Sequence, residues 1–120
     1  MSGQILIVDD SATIRDSLSK LLGGAGYNVH AAGSGKEALA ICEENSFDLM
    51  ISDLNMPVMD GLTLVGTVRK MPGKRFMPII ILSSENDSQK EGVKLAGASG
   101  WISKPFKPEQ VISIVKMVMQ

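Results

Sequence analysis

The chain has 120 residues, of which 44% are hydrophobic and 21% charged, with a formal net charge of −1. This composition predicts one soluble globular domain that needs neither disulfides nor a structural metal. The near-neutral charge argues against nucleic-acid or membrane binding, and the lone Cys42 excludes an internal disulfide and suits a reducing cytosol. Since no signal peptide precedes the first apolar run and no run approaches the roughly 20 residues of a membrane helix, we expect a cytoplasmic protein.

Short apolar runs alternate with helical patterns from the start of the chain. The run over 4–9 ends in acids and predicts a strand that is buried on both faces. Ser11 is a typical N-cap for the first helix, and a weaker strand is predicted over 27–32. The segment Ser34-Gly-Lys-Glu37 matches a capping box, so a second helix is predicted to begin there.

Two further strands are predicted over 48–53 and 77–83, and the second of them is the most apolar in the chain. Asp60 is expected to cap the helix between them, which Pro72-Gly73 ends. Pro57 and Gly61 indicate a tight loop behind the first of these strands.

The remaining patterns complete a repeated alternation of strand and helix. A polar helix over 84–95 is predicted, then a short strand over 101–103 and a last helix from Pro108. Five strand–helix units in this order indicate right-handed βαβ connections and a parallel sheet covered by helices on both faces. In such folds ligands bind beyond the carboxyl ends of the strands.

Polar residues follow these strands where each one ends: Asp9-Asp10, Asp53, Ser83-Ser84 and Lys104. If the sheet is parallel, they converge on one edge. Two carboxylates about 4 Å apart repel by about 4 kcal/mol at an effective dielectric near 20, and Lys104 supplies only one positive charge. We therefore expect a divalent cation with oxygen ligands. Mg²⁺, a lysine, a hydroxyl and an ionised aspartate together indicate phosphoryl transfer, with Asp53 as the nucleophile.

Four motifs at these strand ends resemble the receiver domain of bacterial two-component response regulators, in particular the stand-alone chemotaxis regulators of that family. The motifs are Val8-Asp-Asp-Ser11, Ile51-Ser-Asp-Leu-Asn-Met-Pro-Val-Met-Asp-Gly61, Ile81-Leu-Ser-Ser84 and Trp101-Ile-Ser-Lys-Pro-Phe106. The resemblance implies a flavodoxin-like (βα)5 α/β fold, a three-layer sandwich whose five parallel strands have the order 2-1-3-4-5. It also implies a single receiver domain over 1–120, with a core over about 4–118 and no output domain.

The resemblance implies roles for individual residues. Asp53 would be the phosphoacceptor, Lys104 would contact the phosphoryl oxygens as a mobile charge, and Ser83 would hydrogen-bond the new phosphate. Mg²⁺ would be the cofactor, held directly by Asp10 and Asp53, through water by Asp9, and by the backbone carbonyl of Asn55.

Further positions would control the switch and its lifetime. Trp101 occupies the place of an aromatic, more often Tyr, whose rotamer follows the Ser83 hydroxyl. Asn55 and Glu85 would set the phosphoryl lifetime, which we expect to be seconds to minutes. The Lys104–Pro105 peptide matches one that is usually cis in the family.

The implied phosphodonor is a histidine kinase or a histidine phosphotransfer protein. The implied target, for example a flagellar motor switch, would bind the face made by the fourth predicted helix, the fifth strand and the last helix. The chain would be a monomeric signalling switch that catalyses its own phosphotransfer and dephosphorylation, not an enzyme acting on other substrates. It would bind neither nucleic acid nor membrane.

Two other functions stay open from the sequence. Asp9-Asp-Ser-Ala-Thr13 partly resembles the loop of a haloacid-dehalogenase phosphohydrolase, but that loop needs Asp-x-Asp and the chain is short of a cap domain. A phosphorylation-independent binding module is the second alternative, in which Ser83 would be a core hydroxyl, Lys104 a surface lysine and Trp101 an edge cover.

Overall fold

The computed structural model describes residues 3–84 and 97–119. The strands are β1 (Gln4–Val8), β2 (Asn28–Ala32), β3 (Leu49–Asp53), β4 (Ile79–Ser84) and β5 (Gly100–Lys104). The helices are α1 (Ala12–Gly24), α2 (Gly35–Glu44), α3 (Gly61–Arg69) and the C-terminal α4 (Pro108–Val118). The helix predicted over 84–95 lies outside the described residues, except for Ser84, which ends β4. No helix within these described ranges is long and apolar enough to cross a bilayer.

All five strands are parallel and lie in the order β2-β1-β3-β4-β5, which confirms the flavodoxin-like fold. In this register Val8 pairs with Ser52, Asp53 pairs with Leu82, and Ser84 pairs with Lys104. The polar residues at the ends of four strands therefore reach the same edge of the sheet, as the alternation of strands and helices predicted.

Side chains of each central strand alternate between two hydrophobic clusters. In β1, Leu6 and Val8 pack with α2 and α3, whereas Ile5 and Ile7 pack with α1 and α4. The same alternation holds in β3 and β4, because successive side chains of a strand point to opposite faces. The core is thus divided by the sheet into two layers, and both faces of β1, β3 and β4 are dry.

Three side chains cap helices as predicted, each accepting the backbone N–H of the third residue along: Ser11, Ser34 and Asp60. The capping box is not reciprocal in the expected form, because the Glu37 carboxylate accepts the N–H of Gly33 instead of that of Ser34. Capping satisfies N–H groups that have no partner inside the helix, and it fixes where the chain leaves the sheet.

Three strands begin later than predicted, and β3 differs by only one residue, since it starts at Leu49. β4 starts at Ile79 because the N–H of Met77 closes a turn on the carbonyl of Lys74, at 3.4 Å. β2 starts at Asn28 because the N–H of Tyr27 bonds the carbonyl of Leu22, at 3.1 Å, near the end of α1. Both residues are apolar and extend the hydrophobic run, so composition alone does not separate them from the strand.

Candidate functional site

Three carboxylates meet at the carboxyl edge of the sheet. One oxygen from each of Asp9, Asp10 and Asp53 lies within 4.8 Å of the others. Asp53 ends β3, and Asp9 and Asp10 directly follow the neighbouring β1. Asp9 and Asp53 are buried, whereas Asp10 is exposed. The convergence expected from the strand ends is present, with two of the three charges largely removed from water.

Lys104, at the end of β5, supplies the cation. Its Nζ lies 2.9 Å from Asp53 Oδ1 and donates a hydrogen bond to it, and lies 3.5 Å from Asp9 Oδ2. The Lys104–Pro105 peptide is cis. The lysine therefore lies on the two buried carboxylates and is not a solvated surface residue.

Burial and charge change the proton affinity of this pair. Burial raises the pKa of Asp53 above its ordinary value, and the negative charges of Asp9 and Asp10 add to the rise, which the Lys104 contact only partly opposes. Burial lowers the pKa of Lys104, but the hydrogen bond and charge of Asp53, together with Asp9, outweigh it and leave the pKa raised. One lysine does not neutralise three carboxylates, and the cluster remains short of positive charge.

The donor set fits Mg²⁺. Asp9 Oδ1 accepts the N–H of Ser11 at 2.9 Å, while Asp9 Oδ2 is buried and has no hydrogen-bond partner among the described residues. The Lys104 ammonium, 3.5 Å away and shared with Asp53, compensates the burial of this oxygen only in part, and a second cation would lower the remaining cost. Three carboxylates that offer oxygen atoms are also the ligand type that Mg²⁺ prefers. The residues present therefore fit the cofactor expected from the sequence.

Ser83 and Trp101 lie on the same side of the sheet. Ser83 follows Leu82, the pairing partner of Asp53, and its hydroxyl is buried without a hydrogen-bond partner in the described parts of the chain. Trp101 pairs with Ile81, is half-buried, and packs against the cluster beneath α2 and α3. Because side chains two residues apart share a face, Trp101 and Ser83 are on neighbouring strands of one face.

Of the two residues expected to set the phosphoryl lifetime, only Asn55 lies within the described residues. Asn55 is exposed in the loop after β3, two residues beyond Asp53. Glu85 lies outside the described residues. Of the predicted site residues, the structure thus brings together Asp9, Asp10, Asp53 and Lys104, with Ser83 on the adjacent strand.

A comparison with protein-family models matches residues 5–116 to the response regulator receiver domain. The chain belongs to this family. Receiver domains are signalling switches that bind Mg²⁺ at an acidic pocket and interact with histidine kinases and downstream targets.

Solved structures of receivers superpose closely on this one. The chemotaxis response regulator CheY4 of Vibrio cholerae is 42% identical with a TM-score of 0.94, over 98% of this chain and 99% of that one. The receiver domain of the Pseudomonas aeruginosa sensor histidine kinase PA1611 is 26% identical with a TM-score of 0.91, over 99% of this chain and 98% of that one. That structure carries a magnesium ion in its active-site cleft.

Relatives among curated proteins include a transcriptional regulatory protein and a probable transcriptional regulator. SrrA of Staphylococcus aureus is 35% identical over 122 residues, which is 100% of this chain and 49% of that protein. A probable transcriptional regulator of Porphyra purpurea, ycf29, is 33% identical over 118 residues, 97% of this chain and 56% of the relative. The receiver spans about half the length of these curated relatives.

Three further residues support the carboxyl edge of the sheet that holds the three aspartates, which we call the acidic edge, and the sequence had indicated only Gly61 among them. Arg15 Nη1 donates to the backbone carbonyl of Asp9 at 2.7 Å, and the buried Ser52 hydroxyl donates to the carbonyl of Asp53 at 3.0 Å. A Cβ on Gly61 would lie 2.5 Å from the same Asp53 carbonyl oxygen, so α3 begins directly against the strand end. The sequence indicated a tight loop at Gly61 but not this close approach, which depends on the packing of α3.

Val58, in the loop between β3 and α3, has an unusual backbone conformation. Its φ is 69°, in the left-handed region, and its side chain is fully exposed. The N–H of Met59 bonds the carbonyl of Pro57 at 2.8 Å, which makes Val58 the centre of a γ-turn. A β-branched residue is strained in this region, so the loop beside Asp53 holds a conformation that local preference opposes.

Proposed function

We propose that this receiver domain accepts a phosphoryl group on Asp53 from a histidine kinase or a histidine phosphotransfer protein, with Mg²⁺ as cofactor. The observation that supports this most directly is the 2.9 Å contact between Lys104 Nζ and Asp53 Oδ1 inside a cluster of three carboxylates.

In the transfer step, a carboxylate oxygen of Asp53 attacks the phosphorus and the phosphorus–nitrogen bond breaks. The electron pair of that bond stays on the imidazole of the donor. Lys104 exchanges its hydrogen bond with Asp53 for one with a phosphoryl oxygen, which keeps the developing charge neutralised. Mg²⁺, held by Asp9, Asp10, Asp53 and the backbone carbonyl of Asn55, would supply the remaining positive charge.

The switch begins at Ser83. Its hydroxyl is buried and without a partner in the described structure, so a phosphoryl oxygen on Asp53 offers it an acceptor. Movement of Ser83 toward that oxygen changes the space beside Trp101, on the same face of the sheet. We propose that this shifts the population of the target-binding face implied by the resemblance, which comprises the helix predicted over 84–95, β5 and α4.

The phosphoryl group then leaves by hydrolysis in the same site. Asn55, which is exposed two residues beyond Asp53, is proposed to orient the attacking water, and Glu85 is proposed to act with it. We expect a lifetime of seconds to minutes in Mg²⁺. A purified phosphoprotein that keeps its label for hours would contradict these two assignments.

The deciding experiment is to incubate the protein with acetyl phosphate and Mg²⁺ and to measure its intact mass. We expect a gain of one phosphoryl group. This gain should not occur when Mg²⁺ is chelated before acetyl phosphate is added, and it should not occur in Asp53→Asn. Asp60→Asn is the matched control, because Asp60 is a second carboxylate of the same loop whose capping role asparagine can fill. This control should acquire the phosphoryl group normally.

The same experiment separates the alternative functions. Rapid multiple turnover of varied phosphate esters would identify a phosphohydrolase, and no adduct under any condition would identify a phosphorylation-independent module. Fluorescence of Trp101, the only tryptophan, should change on phosphorylation and change less in Ser83→Ala. An unchanged signal in both proteins would contradict the proposed switch.

The cellular setting is a further part of the proposal. CheY4 is a chemotaxis protein and SrrA a transcriptional regulatory protein, so relatives of this receiver act in different pathways. We propose that the chain works in the cytoplasm as a monomer and acts through protein contact, with a flagellar motor switch as one candidate target. It is not expected to bind nucleic acid or membrane itself.

A further inference from the structure

The connection between α3 and β4 carries an unusual concentration of positive charge. Residues 61–84 include no aspartate or glutamate but hold four of the 12 lysines and arginines, although the whole chain has a net charge of −1. Three of these cations, Lys70, Lys74 and Arg75, lie within residues 70–76, which we call the basic loop. The loop precedes β4 and so lies at the amino edge of the sheet, opposite Asp53.

The backbone of the basic loop is fixed by two consecutive turns. Lys74 N–H bonds the carbonyl of Met71 at 3.2 Å around Pro72-Gly73, where Gly73 has a φ of 79° and the sequence suits a type II turn. Met77 N–H then bonds the carbonyl of Lys74 at 3.4 Å. Arg75 and Phe76 are therefore the two central residues of the second turn, the positions that project furthest from it.

Arg69, the last residue of α3, stabilises both turns through hydrogen bonds to their backbone carbonyls. Its Nη1 donates to the carbonyls of Lys74 and Met77, at 3.0 and 2.5 Å. The Lys74 ammonium in turn donates to the carbonyl of Asn45, at the end of α2, at 3.2 Å. Arg69 and Lys74 thus hold the backbone of the loop in one conformation, so little backbone entropy remains to be lost when a partner binds.

The side chains presented by this rigid loop are of the kind that anchor protein interfaces. Phe76 is 88% exposed, and Arg75 Cζ lies 5.6 Å from the centre of its ring. Arginine and aromatic residues dominate the binding energy of interfaces, and an exposed phenylalanine gains little from folding. Lys70 is also exposed and adds a second available charge.

A cavity adjoins the basic loop. It has a volume of about 380 Å³, with Met71, Pro72 and Lys74 on one wall and residues 42–46 on the other. The second wall includes Glu43 and Glu44, both exposed. A broad anionic surface such as a membrane would press against these two glutamates, whereas a single peptide segment is narrow enough to avoid them.

We propose that the basic loop is a docking surface for an acidic segment of a partner protein, with an apolar side chain packed on Phe76 and carboxylates on Lys70 and Arg75. Strands of five residues separate the two edges by about 16 Å, so a partner at the amino edge leaves the acidic edge open. The docking is therefore independent of phosphorylation. It would hold the receiver near its partner in both states of the switch.

The test is a titration of the isotopically labelled protein with a short synthetic peptide that alternates glutamate and leucine, followed by NMR. We expect shifts of the amides of the basic loop, and weaker binding at higher salt. The double variant R75E/F76S should bind about tenfold or more weakly and still acquire a phosphoryl group from acetyl phosphate. Lys20→Glu, a matched charge change at a lysine whose side chain is 77% exposed on α1, should bind as the parent does.

Three outcomes would overturn the proposal. The first is the absence of shifts in the basic loop at saturating peptide. The second is binding that R75E/F76S leaves unchanged, which would place the peptide elsewhere. The third is tighter binding of phosphatidylserine vesicles than of the peptide through the same two side chains, which would identify a membrane surface.

Discussion

Arg69 and Lys104 are partly buried cations at opposite edges of the same sheet, and their surroundings differ in one respect. Arg69 donates four hydrogen bonds, of 2.5–3.0 Å, to the carbonyls of Lys74, Met77 and Gly97. Lys104 instead contacts two carboxylates in a cluster of three. The backbone carbonyls around Arg69 therefore have their hydrogen bonds satisfied by its guanidinium. The three carboxylates around Lys104, in contrast, carry more negative charge than one lysine neutralises.

The unpartnered groups are confined to one edge. Among the buried side-chain nitrogen and oxygen atoms of the described residues, only Asp9 Oδ2 and Ser83 Oγ lack a hydrogen-bond partner, and both lie at the acidic edge. The strained Val58 and the close approach of Gly61 belong to the same edge. The amino edge therefore contributes stabilising hydrogen bonds, whereas the acidic edge, where we propose that a cation and a phosphoryl group bind, contains the strained and unpartnered groups. Four substitutions test this contrast.

The largest effect is expected for Arg69→Met. The substitution keeps much of the aliphatic stem but removes the hydrogen bonds that Arg69 donates to three backbone carbonyls. We therefore expect a loss of about 3 kcal/mol in the free energy of unfolding, measured by urea denaturation. Arg75→Met, in the adjacent loop but exposed, should change stability by no more than about 0.5 kcal/mol. Equal losses in the two variants would show that Arg69 does not fix the amino edge.

Gly61→Ala should destabilise the protein by about 1–3 kcal/mol, because the new Cβ would lie 2.5 Å from the carbonyl oxygen of Asp53. Gly66 provides the control in the same helix. A Cβ there meets no atom within 4 Å, so Gly66→Ala should stabilise by about 0.5–1 kcal/mol through helix propensity. Thermal unfolding of both variants measures the difference, and effects of the same sign would contradict the packing explanation.

Asp53→Asn should stabilise the metal-free protein at pH 7 by about 0.5–2 kcal/mol, a range common for stabilising substitutions. The pKa of Asp53 is raised in the folded state, chiefly by burial, so the folded chain binds more protons than the unfolded chain between the two pKa values. Stability of the parent therefore falls as the pH rises through that window, and the substitution removes this fall because an amide does not ionise.

Urea denaturation at several pH values checks this prediction. The gain should vanish at a pH below the ordinary carboxylate pKa, where both states of the parent are protonated. Saturating Mg²⁺ should reduce the gain, because the cation should bind the folded parent, with three carboxylates, more tightly than the variant, with two. A variant less stable than the parent at pH 7 without Mg²⁺ would show that the Lys104 contact outweighs burial and repulsion.

The smallest effect is expected at Val58. Val58→Gly relieves a left-handed conformation that is strained for a β-branched residue, and we expect a gain of about 1 kcal/mol or less in unfolding free energy. Val58→Ala keeps a Cβ and should gain less. If both variants lose stability, the left-handed conformation at Val58 is not a source of strain.

Much of the fold follows from local signals in the sequence. The caps at Ser11, Ser34 and Asp60 depend on atoms no more than three residues away, and the buried strands depend on short apolar runs. The order of the strands came from the resemblance to receivers, because apolar runs of similar composition do not say which neighbours pair. The strand starts at Met77 and Tyr27 were wrong, since turns there use N–H groups that the apolar pattern assigned to strands.

The acidic edge shows the same division. The sequence determined that Asp9, Asp10, Asp53, Ser83 and Lys104 follow strands, and a parallel sheet then requires them to share an edge. Only the tertiary structure decided that Lys104 contacts Asp53, 51 positions away in the sequence, and that Arg69 donates to the carbonyl of Gly97, 28 positions away. It also decided that the Ser83 hydroxyl has no hydrogen-bond partner in the described chain. These contacts depend on how helices pack on the sheet, and no pattern of neighbouring residues encodes those distances.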